Sequence, residues 1–269
     1  MTYQRRTQQV RVPDLQAMKQ RGEKITMLTA YDATIGRLLD RAGVDLILVG
    51  DSLGMVVLGY ETTLPVTIEV MIHHTAAVTR GVSRALVVAD MPFLTYQVST
   101  EEAVRNAGRL IQEGGASAVK LEGGLHIADA AKRLNDIGIP VMGHLGLTPQ
   151  SIHKFGGFRP QARDPQAVSQ LLEDAAMLEH AGVFAIVLES VPDDVAWQVT
   201  GNLNIPTIGI GAGPYCDGQV LVSYDAFGLH EGPMPPFAKQ YAQAADEMVN
   251  GAKSYIEDVR TGRFPEQRM

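Results

Sequence analysis

The sequence predicts an α/β protein, a (β/α)8 TIM barrel with an N-terminal extension and a C-terminal helix. Three observations predict it. Short apolar runs alternate with helical patterns along the chain, which is the signature of βα units and of a parallel sheet. Eight such runs occur, and 269 residues suit one barrel of roughly 250. Four of the runs end in a carboxylate: Leu46-Ile47-Leu48-Val49-Gly50-Asp51, Leu86-Val87-Val88-Ala89-Asp90, Ala118-Val119-Lys120-Leu121-Glu122 and Ala185-Ile186-Val187-Leu188-Glu189. One acid at a strand end is ordinary. Four on one sheet would converge on one rim, as hard divalent cations and proton abstraction both require. An open doubly wound sheet is the alternative fold. No Pro/Ser-rich linker divides the chain, so 1–269 reads as one domain, with 1–24 as the extension and 260–269 as a polar tail.

The strands are expected at 25–30, 46–49, 85–90, 118–121, 140–144, 184–188, 207–210 and 220–223. A short helix at 14–21 precedes them. The segment 32–41 has Ile35, Leu38 and Leu39 at helical spacing, and 67–80 carries Val70, Met71 and Val78. Ser99-Thr100-Glu101-Glu102 is a capping box opening a helix through Ile111. A helix at 128–137 follows the fourth strand, and Asp164-Pro165 supplies an N-cap and a Pro at N1 for a long helix to His180. Another helix follows Pro192, and 238–259 reads as the C-terminal helix. Gly43, Gly114, Gly115, Gly138 and Gly182 stand just past helical turns, where a left-handed residue ends a helix. Two loops are long, 52–66 after the second strand and 145–163 after the fifth. On a barrel's C-terminal rim such loops carry lids and substrate contacts.

The net charge of −7 and a pI near 5.5 argue against a nucleic-acid binder. The polar N-terminus, with Arg5, Arg6 and Arg11, has no apolar core of a secretory signal. No run approaches 18 uninterrupted apolar residues, so no membrane span is expected. Cys216 is the single cysteine, which excludes an intrachain disulfide and agrees with a cytoplasmic location.

Asp51 and Asp90 are the first candidates for chemistry. Two carboxylates with waters and substrate oxygens make a Mg²⁺ site. Each could instead cap the next helix or pair with a rim Arg. Lys120 and Glu122 are two apart on one strand, so both face the same way, while Val119 and Leu121 face the helices. A Lys turned into a barrel needs an anionic partner. Glu122 and a substrate carboxylate or enolate both fit that need. Glu189 ends the sixth run among apolar residues, a setting for a general base. The competing reading makes it a helix cap, a role for which Asp193 and Asp194 compete. His144 closes Pro140-Val141-Met142-Gly143-His144 on the same rim, as a functional or a structural residue. His73 and His74 lack metal-ligand spacing and read as structural or surface residues. Gly209-Ile210-Gly211-Ala212-Gly213-Pro214 is a weak phosphate-loop signal, with no Lys or Arg nearby in sequence. Cys216 reads as packing.

Together these motifs resemble the ketopantoate hydroxymethyltransferase family. The resemblance runs from Leu28-Thr29-Ala30-Tyr31-Asp32 through Val49-Gly50-Asp51-Ser52-Leu53-Gly54 and Gly59-Tyr60-Glu61-Thr62-Thr63-Leu64-Pro65-Val66-Thr67. It continues in Ala89-Asp90-Met91-Pro92-Phe93, Val119-Lys120-Leu121-Glu122-Gly123-Gly124 and Gly143-His144-Leu145-Gly146-Leu147-Thr148-Pro149-Gln150. Leu188-Glu189-Ser190-Val191-Pro192, Ile208-Gly209-Ile210-Gly211-Ala212-Gly213 and Cys216-Asp217-Gly218-Gln219 complete it.

The resemblance implies transfer of a one-carbon unit from 5,10-methylenetetrahydrofolate to 3-methyl-2-oxobutanoate, giving 2-dehydropantoate, the first committed step toward pantothenate and coenzyme A. It implies Mg²⁺, a stabilised enolate and a cytoplasmic homodecamer. Residue by residue, Asp51 and Asp90 match the metal ligands, and Glu122 a further acid acting through water. Ser52, Lys120 and His144 match substrate contacts, as do the two aspartates through the metal. Glu189 matches the general base. A Mg²⁺-dependent 2-oxo acid lyase of the isocitrate-lyase/phosphoenolpyruvate-mutase kind is the nearest rival, but it would carry a catalytic Cys in a Lys-Lys-Cys-Gly-His type loop. A catalytically inactive barrel serving in assembly is the rival from another class.

Overall fold

The computed structural model describes residues 8–266 apart from Glu231 and Pro233. The first seven residues of the expected extension, Arg5 and Arg6 among them, and the last three of the expected tail lie outside the described residues. By its contacts the chain divides into two compact units, one ending at Leu221 and one beginning at Val222.

The first unit is a closed parallel barrel with strands in chain order. Helix α1 (Val12–Arg21) precedes β1 (Ile25–Thr29), α2 (Ala33–Ala42) and β2 (Leu46–Val49). The short α3 (Leu53–Val56) and α4 (Ile68–Gly81) lead to β3 (Leu86–Asp90), and α5 (Thr100–Gln112) to β4 (Ala118–Glu122). Next come α6 (Ala128–Asp136), β5 (Val141–Gly146), the short α7 (Ile152–Phe155) and α8 (Pro165–His180). β6 (Ala185–Glu189), α9 (Asp193–Asn202), β7 (Thr207–Ile210) and β8 (Gly218–Leu221) complete the unit.

The local signals act as expected. The Asp32 carboxylate accepts from the N–H groups of Thr34 and Ile35 at 2.7 and 2.9 Å, capping α2, and Gly43 ends that helix at φ 95°. Ser99 accepts from Glu102 N–H at 3.1 Å and Asp164 from Ala167 N–H at 2.9 Å, opening α5 and α8.

Side chains alternating inward from the strands fill the barrel. Leu46, Leu48, Leu86, Val88, Met142 and Val187 belong to one buried cluster, and Val10, Leu15 and Met18 join it from α1 and the residues before it. The N-terminal helix therefore closes the barrel's N-terminal end. Each such large side chain contributes roughly 1.5–3 kcal/mol when fully buried. Lys19, on the same helix, donates to Asp217 Oδ2 and Thr200 O, both at 2.9 Å.

The starts of β8 and of the C-terminal helix differ from expectation. In the seventh unit the seven residues 211–217 alone join β7 to β8, without a helix. A four-residue strand is only about 13 Å long, and seven extended residues reach about 23 Å, so the chain returns without one. The glycines make that return possible. Gly211 and Gly213 have φ 61° and 70°, and a Cβ on Gly213 would stand 2.4 Å from Asp193 Cγ. The eighth strand begins two residues earlier than expected, because Gly218 already pairs with Ile25 of β1 and Ile208 of β7. The C-terminal helix starts at Ala244 rather than 238. Taken by itself, the second unit holds α10 (Ser223–Ala226) and α11 (Ala244–Thr261), with Tyr241 N–H donating to Ala226 O at 2.7 Å. Among the described residues no helix is long and apolar enough to cross a membrane.

Asp40 near the end of α2 binds the chain entering β3. Its carboxylate accepts from the backbone N–H groups of Ser83 (3.0 Å), Arg84 (3.0 Å) and Ala85 (2.7 Å) and from the Ser83 hydroxyl (2.9 Å). Partial burial pushes its pKa up, but the N–H donors of Ala85, Ser83 and Arg84 outweigh that and hold it below the ordinary value. A depressed carboxyl stabilises the fold above the unfolded-state pKa of about 3.9 and loses that contribution as pH falls through the folded value. Asp40→Asn should lower the unfolding free energy at pH 7 by about 1–3 kcal/mol. Urea titrations at falling pH should show the gap from wild type closing below about pH 4.

Candidate active site

The four strand-end acids do meet on one rim. Asp90 continues the inward series Leu86, Val88 on β3. Lys120 and Glu122 follow Ala118 on β4, His144 follows Met142 on β5, and Glu189 follows Ala185 and Val187 on β6. Register sets the neighbours, with Asp90 beside Lys120 and Glu122 beside His144. Asp51 and Ser52 come from the turn after β2. Asp51, Asp90, Lys120, Glu122 and His144 are all buried, and the Glu189 side chain is 14% exposed.

Lys120 Nζ is the hub. It lies 3.0 Å from Asp90 Oδ1, 3.6 Å from Glu122 Oε1 and 3.1 Å from His144 Nδ1. Asp90 Oδ2 accepts the Asp51 N–H at 3.0 Å. His144 Nδ1 is 3.4 Å from Glu122 Oε1, and its Nε2 is 3.1 Å from Glu189 Oε2. That last contact is one of charge, outside aligned hydrogen-bond geometry. A neutral ring accepting from Lys120 and a charged ring both carry the proton on Nε2, the nitrogen nearer Glu189.

The electrostatics follow from burying more negative than positive charge. Burial, with repulsion from Asp90 and Glu122, raises the Asp51 pKa well above the ordinary range. Burial likewise raises Asp90, with Lys120 opposing and Glu122 adding to the shift. Glu122 ends below its ordinary value. Burial pushes it up, but Lys120, His144 and the Gln150 N–H more than compensate. Lys120 is raised because Asp90, Glu122 and Asp51 outweigh its desolvation. Burial and Lys120 press His144 down, yet Glu122 and Glu189 carry it to about 9.

These residues fit a divalent cation. Asp51 and Asp90 are crowded hard-oxygen donors short of positive charge. The buried Asp90 Oδ1 also has no aligned hydrogen bond despite Lys120 at 3.0 Å. Among the described residues, no three His, Cys, Asp or Glu side chains gather as ligands around one point. The arrangement therefore offers the aspartate pair, with waters and substrate oxygens completing the shell.

Two residues central to the rim carried no role in the sequence reading. Gln150 donates from Nε2 to Asp51 Oδ2 at 2.9 Å and to Met91 O at 3.0 Å, and its backbone N–H donates to Glu122 Oε2 at 3.0 Å. Tyr96 places its hydroxyl 2.7 Å from Gln150 Oε1 and accepts the Glu122 N–H at 3.0 Å. Gln150 stood inside a family-like motif, but nothing in its spacing turned it toward the acids. Tyr31, also in such a motif, sets its hydroxyl 2.9 Å from Ser52 Oγ. The other candidates stay outside the rim. His73 is exposed, His74 Nδ1 lies 2.6 Å from Tyr31 O, and Cys216 is buried before β8 at the barrel's opposite end. A cavity of about 510 Å³ opens between the loops after β4 and β5 and α8, walled by Gly123, Leu145, Phe155 and Asp174. None of the rim's ionisable groups lines it.

Barrel and rim together define a class of acid-rich (β/α)8 enzymes. The family model described as ketopantoate hydroxymethyltransferase matches residues 9–267, and the chain belongs to that family of one-carbon transferases. A 3-methyl-2-oxobutanoate hydroxymethyltransferase of Moorella thermoacetica is 59% identical, covering 96% of both chains. One of Syntrophus aciditrophicus is 56% identical over 99% of this chain and 98% of its own. Among solved structures, a phosphonopyruvate hydrolase in complex with oxalate and Mg²⁺ has a TM-score of 0.62 at 13% identity, covering 93% of this chain and 87% of the other. A phosphoenolpyruvate phosphomutase of Streptomyces platensis subsp. rosaceus has a TM-score of 0.64 at 14% identity, covering 96% and 91%. Both show the barrel fold.

Lys120→Met would leave Asp90 and Glu122 buried without their cation. Removing one partner of a buried pair costs about 3–5 kcal/mol. Chemical denaturation in EDTA at pH 7.5 should show that loss. It should shrink at pH 5.5, where carboxyls raised by the missing ammonium take up protons in the folded state.

Proposed function

We propose that this chain transfers the one-carbon unit of 5,10-methylenetetrahydrofolate to 3-methyl-2-oxobutanoate, forming 2-dehydropantoate on the way to pantothenate and coenzyme A. The observation that carries this reading is the joining of an aspartate pair, a lysine and a separate glutamate on one barrel rim, in a chain of this family. Asp51 and Asp90 would hold Mg²⁺, with Glu122 behind them. When bound, Mg²⁺ supplies Lewis acidity toward the keto and carboxylate oxygens of a 2-oxo acid.

The chain's own residues do the rest. Lys120 balances negative charge on the substrate oxygens, which is electrostatic stabilisation of the enolate. Ser52, held by the Tyr31 hydroxyl at 2.9 Å, contacts the oxo acid. Glu189 removes the proton from C3, with His144 Nε2 3.1 Å away beside its carboxylate. The enolate carbon then bonds to the donor's methylene carbon, water supplies the product hydroxyl, and tetrahydrofolate leaves. The same reading makes the protein a cytoplasmic homo-oligomer, a decamer by family, acting on small molecules.

The lyase reading is disfavoured because its cysteine is missing from the rim. Cys216 is fully buried, with its thiol pKa pushed up by burial. Incubation with the oxo acid, methylenetetrahydrofolate and Mg²⁺ should yield dehydropantoate. A folded, metal-replete sample giving none above background would leave an inactive barrel as the better reading.

Glu189→Gln isolates the base. It should bind Mg²⁺ and the oxo acid yet lose deuterium exchange at C3, with product formation falling by about 10²–10⁴-fold. Exchange at the wild-type rate would remove Glu189 from that role.

A further inference from the structure

We infer that Gln150 is a positioning residue that sets the metal-facing carboxylates, a role that rests on the reading of Asp51 and Asp90 as the Mg²⁺ pair. Its amide has one orientation. Nε2 faces two acceptors, Asp51 Oδ2 at 2.9 Å and Met91 O at 3.0 Å. Oε1 faces two donors, the Tyr96 hydroxyl at 2.7 Å and Gln97 Nε2 at 3.1 Å. A flipped amide would set its oxygen against Asp51 Oδ2 and the Met91 carbonyl. The backbone N–H holds Glu122 Oε2 at 3.0 Å. One buried residue on the loop after β5 thus engages the turn after β2, the turn after β3 and the end of β4.

The consequence for the acids is geometric. Gln150 occupies Oδ2 of Asp51, which leaves Oδ1 for a cation. The Asp51 N–H occupies Oδ2 of Asp90, and the Gln150 N–H occupies Oε2 of Glu122. Each acid has one oxygen fixed by an N–H, and the second oxygens of Asp90 and Glu122 lie 3.0 and 3.6 Å from Lys120 Nζ. An aspartate fixed in this way needs no reorganisation on metal binding, as groups behind metal ligands generally ensure. Tyr96 completes the device by tying the Gln150 amide to the Glu122 backbone.

The test is titration of the full-length protein with Mn²⁺, a Mg²⁺ substitute whose free form is read by electron paramagnetic resonance, with no substrate present. Gln150→Met keeps the length and removes the amide. It should raise the Mn²⁺ dissociation constant about tenfold or more, while the melting point of the metal-free protein shows whether it folds. In turnover, the Mg²⁺ concentration for half-maximal rate should rise by a similar factor. Tyr96→Phe reaches the same chain without touching Asp51 and should weaken Mn²⁺ in the same direction by less. A folded Gln150→Met with Mn²⁺ affinity within about twofold of wild type would overturn the inference and leave the metal reading intact. If Gln150→Met does not fold, unchanged affinity in Tyr96→Phe overturns it instead. Wild type that binds no stoichiometric Mn²⁺ would remove the metal reading and this role with it.

Discussion

The rim depends on burying three carboxylates around one ammonium group. Moving an ion from water into a protein interior costs several kcal/mol even after relaxation, and Asp51, Asp90 and Glu122 are all buried. Lys120 makes that tolerable, with Asp90 at 3.0 Å and Glu122 at 3.6 Å. Its position is set by strand geometry alone. Alternation along β4 turns Lys120 and Glu122 to one side, and the β3–β4 register brings Asp90 alongside. The cluster still holds more negative than positive charge, and burial together with that repulsion raises the pKa values of Asp51 and Asp90. A divalent cation bound there would relieve the same imbalance.

Such a cluster needs a rigid and dry foundation. Below it the barrel is filled by aliphatic and Met side chains, and α1 closes the far end with Leu15 and Met18. The strands carry the charged groups, while loops carry the residues that aim them. Gln150 and Tyr96 lie on different loops and converge on Asp51 and Glu122. Division of the work between strands and loops allows the rim to be precise without every loop being fixed by its own length.

Features written in local periodicity were legible in the sequence. The bounds of β2 and β7 are as expected, Ser99 and Asp164 cap the helices they were expected to open, and the strand-end acids converge. Features decided by distant contacts were not. Gly209-Ile210-Gly211-Ala212-Gly213-Pro214 read as a weak phosphate-loop signal, and the tight return of Gly213 past Asp193 was not visible in it. The start of β8 is set by pairing with Ile25 and Ile208, which no local pattern around Gly218 announces. Gln150 is a polar residue in a loop, and its importance comes from meeting Asp51, 99 positions away. The family resemblance placed it in a motif without saying what it touches.

The same electrostatics bear on which acid would act as the base in the proposed reaction. Glu122 is held below its ordinary value by Lys120 and His144, and a carboxylate stabilised in that way is a poor proton acceptor. Asp90 is paired to Lys120 and receives the Asp51 N–H. Asp51 has one oxygen committed to Gln150, and any cation at the pair would claim the other. Glu189 stands apart from Lys120 across the His144 ring and is the least buried of the four strand-end acids. The proposed reaction needs both a cation at the substrate oxygens and a base at the neighbouring carbon, and the His144 ring between Lys120 and Glu189 would hold those two functions apart.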